Sequence, residues 1–272
     1  MTSAPAYAKL NLALVVGPLR ADGKHELATV YQRIDLADRV ALEPGDRLEV
    51  TGFEGDTLVA AALRLLAAAA GVEPRWRVRL EKAIPVAAGL AGGSSDAAAA
   101  LRLANDLLDR PLGRVELRSL AAAVGSDVPF FLAPGPQLGT GDGTQLEPLD
   151  LPLDYRVLLV LPAGAEKPST AAVYASFDRR RGERGFHARR QELLGRLAAV
   201  RRASDLAALP RNDLARSPLA AELERLGAFR ADVSGAGPTV YGLFEREEDA
   251  AAAQRALQGL GRTWTCAPAW YG

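Results

Sequence analysis

Apolar and polar residues alternate near the start of the chain. In residues 5–17, PAYAKLNLALVVG, alanine or leucine occupies every second position from 8 to 14. A period of two predicts a β-strand with one apolar face. Lys9 and Asn11 fall between the apolar positions and therefore project to one side of that strand. This side is either a solvated outer face or a source of a cation and an amide for a site.

The same pattern predicts the remaining elements. A turn at Asp22-Gly23 precedes a second apolar segment, and Gly125 ends a helix. Strands and helices alternate without the regularity of βαβ units, which predicts an α+β fold in two layers. The other expected elements are a short strand within 48–55, helix 56–70, strand 76–80, a hairpin or lid at 135–143, a domain connection at 146–152, strand 155–161, a helix capped by Ser169 and Thr170, a strand–turn–strand unit at 231–244, helix 247–260 and strand 263–267.

A glycine-rich segment leads into a helix in the middle of the chain. Residues 84–101 read IPVAAGLAGGSSDAAAAL, and the alanine-rich part predicts a helix that Pro111 ends. Ser94 and Ser95 are expected N-caps. A helix N-terminus behind glycines offers free N–H groups to a phosphate. The segment fits neither G-x-x-x-x-G-K-[ST] nor G-x-G-x-x-G, so a flexible turn with a serine cap remains the alternative.

Composition narrows the class of protein. The 272 residues carry 33 basic and 33 acidic side chains, and this balance argues against a nucleic-acid or anionic-membrane partner. The lone Cys266 excludes an intrachain disulfide, and two histidines make a histidine-rich metal site an unfavourable interpretation. No secretory signal opens the chain, so a cytoplasmic protein is expected. Monomer and homodimer both stay open.

Three further features have an ordinary structural interpretation, and the first of them also has a functional one. Asp127 precedes Val128-Pro129, where it is either a helix N-cap or a carboxylate presented as a base. His25 follows a tight turn and is expected at the surface when considered alone. Residues 179–190, RRRGERGFHARR, are strongly basic but lack an aromatic platform, which favours a solvated loop and helix start.

Three segments together resemble a known family. They are PAYAKLNLAL near the start, IPVAAGLAGGSSDAA in the middle and DVSGAGPTVYGLF near the end. In this order they resemble the GHMP kinase superfamily. The resemblance implies an N-terminal ATP-binding domain similar to ribosomal protein S5 domain 2, over residues 1–150. A smaller α/β-sandwich GHMP domain would follow over residues 151–272.

The segments AKLNL, DGKHEL, GSDVPFFL, STAAVY and RNDL are most similar to the branch that acts on diphosphocytidyl-methylerythritol. The resemblance implies transfer of a phosphoryl group from ATP to the substrate's 2-hydroxyl, with Mg²⁺ sharing the charge of the phosphates. This reaction is a step of the non-mevalonate route to isoprenoid precursors. Asp127 would accept the hydroxyl proton, Lys9 would keep that carboxylate ionised, and Asn11 would orient the pair. The residues that the resemblance assigns to ATP are Lys82, Pro85, Val86, Ala87, Ala88, Gly89, Leu90, Ala91, Gly92, Gly93, Ser94, Ser95 and Asp96.

The substrate end departs from the family's pattern. His25 would pair with the cytosine, Tyr174 would stack on it, and Thr170 would lie beside it. Lys24 replaces the usual aromatic residue, and other departures are Thr57, Thr144 and Tyr7. The loss of a stacking face predicts weaker binding of the cytidine end. A kinase of another small alcohol, or a non-catalytic nucleotide-binding relative, remains an alternative.

Overall fold

A long antiparallel hairpin forms the base of the fold. In a computed structural model that describes residues 1–165 and 169–270, β1 (Thr2–Leu19) pairs with β2 (His25–Pro44) through the turn at residues 21–24. The register runs from Thr2 opposite Leu42 to Leu19 opposite His25, with three irregularities. The predicted strand and turn are confirmed, and the strand is longer than the alternation indicated.

Strands from several parts of the chain extend this hairpin into a six-stranded sheet. The second half of β2 pairs with β4, β4 pairs with β3, and the first half of β2 pairs with β5, which continues to β6. The hairpin expected at 135–143 is therefore present. The segment at 146–152 is not only a connection, because its first residues complete that hairpin. The strands are β3 (Glu49–Thr51), β4 (Trp76–Glu81), β5 (Gln137–Gly141) and β6 (Gln145–Pro148).

Three helices cover one face of this sheet: α1 (Leu58–Ala70), α2 (Gly92–Asp106) and α3 (Arg114–Val124). Their buried alanines and leucines share a core with side chains of β2 and β4. The prediction that Pro111 ends α2 is wrong, because the helix stops at Asp106. The Asn105 side chain accepts a hydrogen bond from Leu112 N at 2.8 Å and so turns the chain away early.

The second sheet has the strand order β10-β7-β9-β8 and is antiparallel throughout. Its strands are β7 (Arg156–Pro162), β8 (Arg230–Val233), β9 (Val240–Phe244) and β10 (Gly261–Cys266). The helices of this half are α4 (Thr170–Arg179), α5 (Phe186–Ala199), α6 (Pro218–Arg225) and α7 (Glu247–Ala256). These elements confirm the predicted strand–turn–strand unit and the α+β class.

Side chains of both sheets share one hydrophobic core. Leu10 of β1 belongs to the same buried cluster as Tyr155 and Tyr241, and the Tyr241 hydroxyl donates to Asn11 O at 3.1 Å. After β10, Pro268 forms a bridge with Ile34 of the first sheet. The division at residue 150 stays a prediction. No helix of the described residues is long and apolar enough to span a bilayer.

The sequence favours a solvated loop and helix start for the basic stretch 179–190. In the structure, two of its arginines also bind other parts of the protein. Arg189 pairs with Asp213 at 3.2 Å and donates to Val16 O at 3.0 Å. Arg180 donates to the carbonyl of Asp213. Because Asp213 also accepts a bond from Val16 N, these arginines fasten the loop around residue 213 to the end of β1.

Candidate active site

A cavity of about 360 Å³ opens between the glycine-rich segment and the loops of the second sheet. Its walls come from the two long strands, from the start of α1, from the glycine-rich segment, from α4 and from the turn after β8. Five of the residues that the resemblance assigns to catalysis or binding line this cavity, namely Lys9, Asn11, Lys82, Asp96 and Asp127. Segments that are far apart in sequence therefore meet at one place.

The glycine-rich segment contains unusual backbone conformations. Ala87 and Ala91 have φ values of 56° and 55°, in the left-handed region that alanine rarely adopts. That conformation costs about 1–2 kcal/mol per residue, and such strain concentrates at ligand-binding sites. Gly89 has φ 81°, and a Cβ there would lie 2.3 Å from Ser234 O. This close approach of two backbones requires glycine.

The helix that follows begins two residues earlier than Ser94. Ala91 is the N-cap of α2 and supplies no side-chain cap, while Ser94 and Ser95 lie inside the helix. The prediction of serine N-caps is therefore wrong. The first helical residue, Gly92, is closely packed, because a Cβ there would lie 3.0 Å from Ile84 Cγ2. The first N–H groups of an α-helix have no intrahelical partners, so this uncapped end is suited to a phosphate.

Lys9 is buried inside the molecule rather than on a solvated face. Its ammonium donates to Asn11 Oδ1 at 2.6 Å, and Asn11 Nδ2 donates to Thr29 Oγ1 at 2.8 Å. Only 4% of the Lys9 side chain is exposed. Burial lowers the pKa of Lys9, and the charge of Asp127 opposes this change. A buried ammonium needs a nearby carboxylate to stay charged.

Asp127 is that carboxylate, with Oδ2 at 3.8 Å from Lys9 Nζ. It precedes a short 3₁₀ helix, Val128–Leu132, with proline in its first turn. Asp127 therefore occupies the N-cap position, as one interpretation expected, but its side chain makes no capping hydrogen bond and is not used by the helix. About a third of the side chain is exposed, which leaves it accessible to a molecule in the cavity.

A second charged cluster lies at the start of the glycine-rich segment. Lys82 Nζ contacts Asp38 Oδ2 and, at 2.5 Å, Asp96 Oδ2. Asp38 Oδ1 also accepts bonds from Ala83 N at 2.6 Å and Ile84 N at 2.8 Å. Burial raises the pKa of Asp96 above its ordinary value, although the nearby Lys82 acts to lower it. Burial also acts to lower the pKa of Lys82, but the two carboxylates outweigh it and raise that pKa.

The residues expected at a cytosine pack against each other. The His25 and Tyr174 rings are stacked with centroids 4.9 Å apart and 23° between their planes. His25 is buried, contrary to the surface position expected for it alone. Its Nδ1 lies 2.9 Å from Gly17 O, and its Nε2 lies 3.4 Å from Asp178 Oδ1. Both ring nitrogens therefore face protein acceptors.

Lys24 lies at the rim of the fold, where about half of its side chain is exposed. Its ammonium binds Asp142 Oδ2 at 2.6 Å, in the turn between β5 and β6. Burial raises the pKa of Asp142, but hydrogen bonds from Lys24 and Thr144 outweigh it and lower that pKa to about 2. An ion pair thus holds the residue that replaces the family's aromatic side chain.

Models of known families match both halves of the chain. The GHMP kinases N terminal domain matches residues 57–135, and the GHMP kinases C terminal model matches residues 184–263. The 4-diphosphocytidyl-2-C-methyl-D-erythritol kinase of Salinispora arenicola is 41% identical, covering 89% of this chain and 83% of the relative. The protein of that name from Nocardia farcinica is 42% identical, covering 94% and 89%. The chain belongs to this family of GHMP kinases.

Solved structures agree with that membership. A crystal structure of 4-(cytidine 5'-diphospho)-2C-methyl-D-erythritol kinase covers the whole of both chains with 32% identity and a TM-score of 0.78. A mevalonate kinase structure has the same TM-score at 13% identity, which shows the common fold alone. The protein is therefore a small-molecule kinase, and ATP is the co-substrate that a GHMP kinase implies. The relatives do not favour the alternative of another acceptor alcohol or a non-catalytic protein.

Most of the predicted site residues of this GHMP kinase line one cavity. Thr170, whose main chain starts α4, lies there with Tyr174. Four predicted residues do not line it. Leu90 and Ser95 are buried within the glycine-rich segment, and Lys24 and His25 lie outside the cavity wall. The roles assigned to all these residues stay predictions.

Several residues that line or support the cavity could not be found from the sequence. Asp38 is fully buried and fixes both Lys82 and the first residues of the glycine-rich segment. Its sequence context, LADRV, is that of an ordinary strand, so no signal marked it. Tyr31, Gly235 and Ala236 also line the cavity. The sequence Ser-Gly-Ala-Gly-Pro predicts a turn, but the approach of this turn to Lys9 depends on long-range packing.

Proposed function

We propose that this kinase transfers the γ-phosphoryl group of ATP to the 2-hydroxyl of 4-diphosphocytidyl-2-C-methyl-D-erythritol, in the non-mevalonate route to isoprenoid precursors. The observation that carries the proposal is the pair of Lys9 and Asp127, 3.8 Å apart in the cavity that the glycine-rich segment also lines. Kinship with enzymes named for this substrate supports the choice of acceptor. The product would carry a 2-phosphate, and ADP would leave.

Asp127 accepts the proton of the attacking hydroxyl in this proposal. Phosphoryl transfer depends mainly on positioning and on neutralising charge, so one carboxylate near the hydroxyl suffices as a base. Lys9 stabilises the charge that moves from the carboxylate to the reacting oxygen. The hydrogen bond to Asn11 and the next one to Thr29 keep the ammonium in place, because all three side chains are buried.

ATP would bind with its phosphates over the start of α2. The uncapped N–H groups there and the helix dipole favour negative charge. Ala87 and Ala91, whose backbones adopt the left-handed conformation, both lie in the part of the segment that lines the cavity. Lys82, fixed between Asp38 and Asp96, would lie beside the nucleotide.

Mg²⁺ fits the carboxylates of this wall. Asp96 Oδ1 is buried and has no hydrogen-bond partner among the described residues, while its side chain lines the cavity. Among the described residues, no group of three or more acidic, histidine or cysteine side chains is placed to hold a metal ion. Mg²⁺ is typically bound by one or two carboxylates together with substrate phosphates. Asp96 would hold the ion, which would neutralise phosphate charge.

Calorimetry tests the assignment of Asp96. ATP should bind wild-type protein more tightly with Mg²⁺ than without it, and Asp96→Asn should remove most of that difference. The amide keeps the shape of the side chain but binds a hard cation poorly. A full Mg²⁺ effect in Asp96→Asn would exclude this residue as the ligand.

The proposed activity is tested by ADP release. Purified protein receives ATP, Mg²⁺ and 4-diphosphocytidyl-2-C-methyl-D-erythritol, beside an Asp127→Asn variant. We expect turnover in the wild type and a fall of at least about 10²-fold in the variant, since a positioned base contributes 10²–10⁴-fold. ATP binding should stay intact. Wild-type protein that binds ATP and does not turn over this substrate would refute the proposed acceptor.

We also propose a cytoplasmic location, supported by the use of ATP as a co-substrate. Fractionation of cells that express the protein, followed by immunodetection, tests it. Recovery in the soluble cytoplasmic fraction is expected. Recovery with the membranes or outside the cell would contradict it.

A further inference from the structure

Asn212 lies in the loop before α6, with only 2% of its surface exposed. Its Nδ2 donates to Val233 O at 2.8 Å and to Gly235 O at 2.7 Å. Its Oδ1 accepts from Leu214 N at 2.8 Å. The two amide hydrogens thus hold one backbone carbonyl at the end of β8 and one in the segment that follows it.

The segment that Asn212 holds is a tight turn. Gly237 N donates to Ser234 O at 2.9 Å, so residues 234–237 form a β-turn. Gly235 has φ 56°, while Ala236 is not among the residues with positive φ. A positive φ at the first central residue alone is the pattern of a type II′ turn. The middle peptide of that turn joins Gly235 to Ala236.

The hydrogen bond from Asn212 favours one orientation of this middle peptide. In a planar trans peptide the C=O and the following N–H point in opposite directions. The Gly235 carbonyl points at Asn212, so the Ala236 N–H points away from Asn212, and Ala236 lines the cavity. A peptide flip would convert the turn to type I′, which requires a positive φ at Ala236 and is unfavourable for a residue with a Cβ.

The same peptide adjoins the proposed catalytic residues. A Cβ built on Gly235 would lie 3.4 Å from Asn11 Oδ1 and 3.6 Å from Lys9 Nζ. The turn also contacts the glycine-rich segment, since Ser234 Oγ donates to Gly89 O at 3.0 Å. A backbone N–H that faces the cavity at this place would meet the phosphoryl group between ATP and the acceptor.

We propose that Asn212 is a positioning residue for phosphoryl transfer, which holds the Gly235–Ala236 peptide with its N–H facing the transferred group. The inference rests on the proposed function. A donor that is fixed before the reaction stabilises charge that develops in the transition state, and removal of one such donor typically lowers kcat by about 10²–10³-fold. Asn212 itself touches neither substrate.

Two substitutions test the two halves of the proposal. Asn212→Asp keeps the shape but puts an oxygen in place of the NH₂ group, so it loses both bonds to the carbonyls. Ala236→Pro deletes the N–H itself, and its fixed φ is compatible with the negative φ of this turn position. We expect kcat to fall by about 10²-fold in each variant. The KM for ATP should change much less, because α2 and the glycine-rich segment stay in place.

The double variant decides whether the two residues act through one group. If Asn212 acts by orienting the Ala236 N–H, the double variant should be no slower than Ala236→Pro alone. Multiplied losses would overturn the proposal, and so would an Asn212→Asp enzyme with wild-type kcat. Ala236→Pro with wild-type kcat would also overturn it, which keeps the proposal open to refutation even if Asn212→Asp fails to fold.

A matched control separates positioning from stability. Asn105→Asp makes the same change in another buried asparagine, whose Nδ2 donates to Leu112 O at 3.2 Å. It lies nine residues beyond Asp96, the last residue of α2 that lines the cavity, or about 14 Å along the helix. It should lower the melting temperature but leave kcat unchanged. If the wild-type protein shows no turnover, the proposed function is refuted instead. If it does turn over, the ratio of the kcat of Asn212→Asp to that of the wild type tests the positioning role.

Discussion

The contact between Gly89 and Ser234 provides a sharp test of how the cavity is closed. In a Gly89→Ala variant the new Cβ would lie 2.3 Å from Ser234 O and 2.9 Å from Gly237 O. Both neighbours are backbone atoms and cannot rotate away. The variant can relieve the overlap only by separating the glycine-rich segment from the turn, which breaks the bonds of Ser234 Oγ to Gly89 O and of Thr239 N to Ala88 O.

The expected cost has two parts. Alanine at φ 81° costs about 1–2 kcal/mol relative to glycine. Overlap in a packed region adds about 1–3 kcal/mol. Together they predict a loss of about 2–5 kcal/mol in the free energy of unfolding. For a chain of 272 residues that corresponds to a decrease of roughly 4–9 °C in melting temperature.

Gly195→Ala is the matched control, because it makes the same chemical change in the opposite situation. Gly195 lies exposed within α5, and a Cβ there would meet nothing within 4 Å. Alanine is favoured over glycine in a helix by about 1 kcal/mol, so Gly195→Ala should melt slightly higher than the wild type. Calorimetric melting measures both effects, and ATP titration should show a raised Kd for Gly89→Ala only. Equal melting temperatures for Gly89→Ala and the wild type would refute the reasoning.

Two further predictions concern the departure at Lys24. Lys24→Tyr should lower the KM for 4-diphosphocytidyl-2-C-methyl-D-erythritol about fivefold, since a stacked ring contributes about 1 kcal/mol. Lys24→Met, which removes the charge without adding a ring, should not, and equal KM values in the two variants would contradict the stacking argument. Asp142→Asn should lower the free energy of unfolding near pH 6. The decrease in the pKa of Asp142 from 3.8 to about 2 corresponds to about 2 kcal/mol, or about 1 kcal/mol after allowance for the exposure of Lys24. Because the folded-state pKa is the lower one, wild type and variant should converge as pH falls from 4 towards 2 in urea unfolding. A difference that persists at pH 2 would contradict the ion pair as its source.

Local patterns in the sequence predicted the regular elements well. The alternation around Lys9, the Asp22-Gly23 turn and the alanine-rich helix each depend on neighbouring residues, and all are present. The errors lie at helix ends. Ser94 and Ser95 are residue types typical of N-caps, but the helix begins at Gly92, which packs closely against Ile84. Pairings between distant strands, such as β2 with β5, carry no local signal.

The site was predictable only where its residues form short motifs. Lys9, Asp127 and the glycine-rich segment belong to such motifs, and the structure brings them together. Asp38 could not be found, since its role arises from bonds to Lys82, Ala83 and Ile84, more than 40 residues further along the chain. The contact between His25 and Tyr174 is likewise a product of the fold, which brings α4 against the start of β2.

The two sides of the cavity differ in the way that their residues are held. Lys9 is fixed by neighbours on the long hairpin, since Asn11 is two residues away and Thr29 is on the paired strand. The phosphate side is held by strained backbone and by contacts with the second sheet's turn. Changes in the turn of the second sheet should therefore alter phosphoryl transfer before they alter the charge of Lys9. This division explains why Asn212, from the second half of the chain, can affect kcat without contacting either substrate.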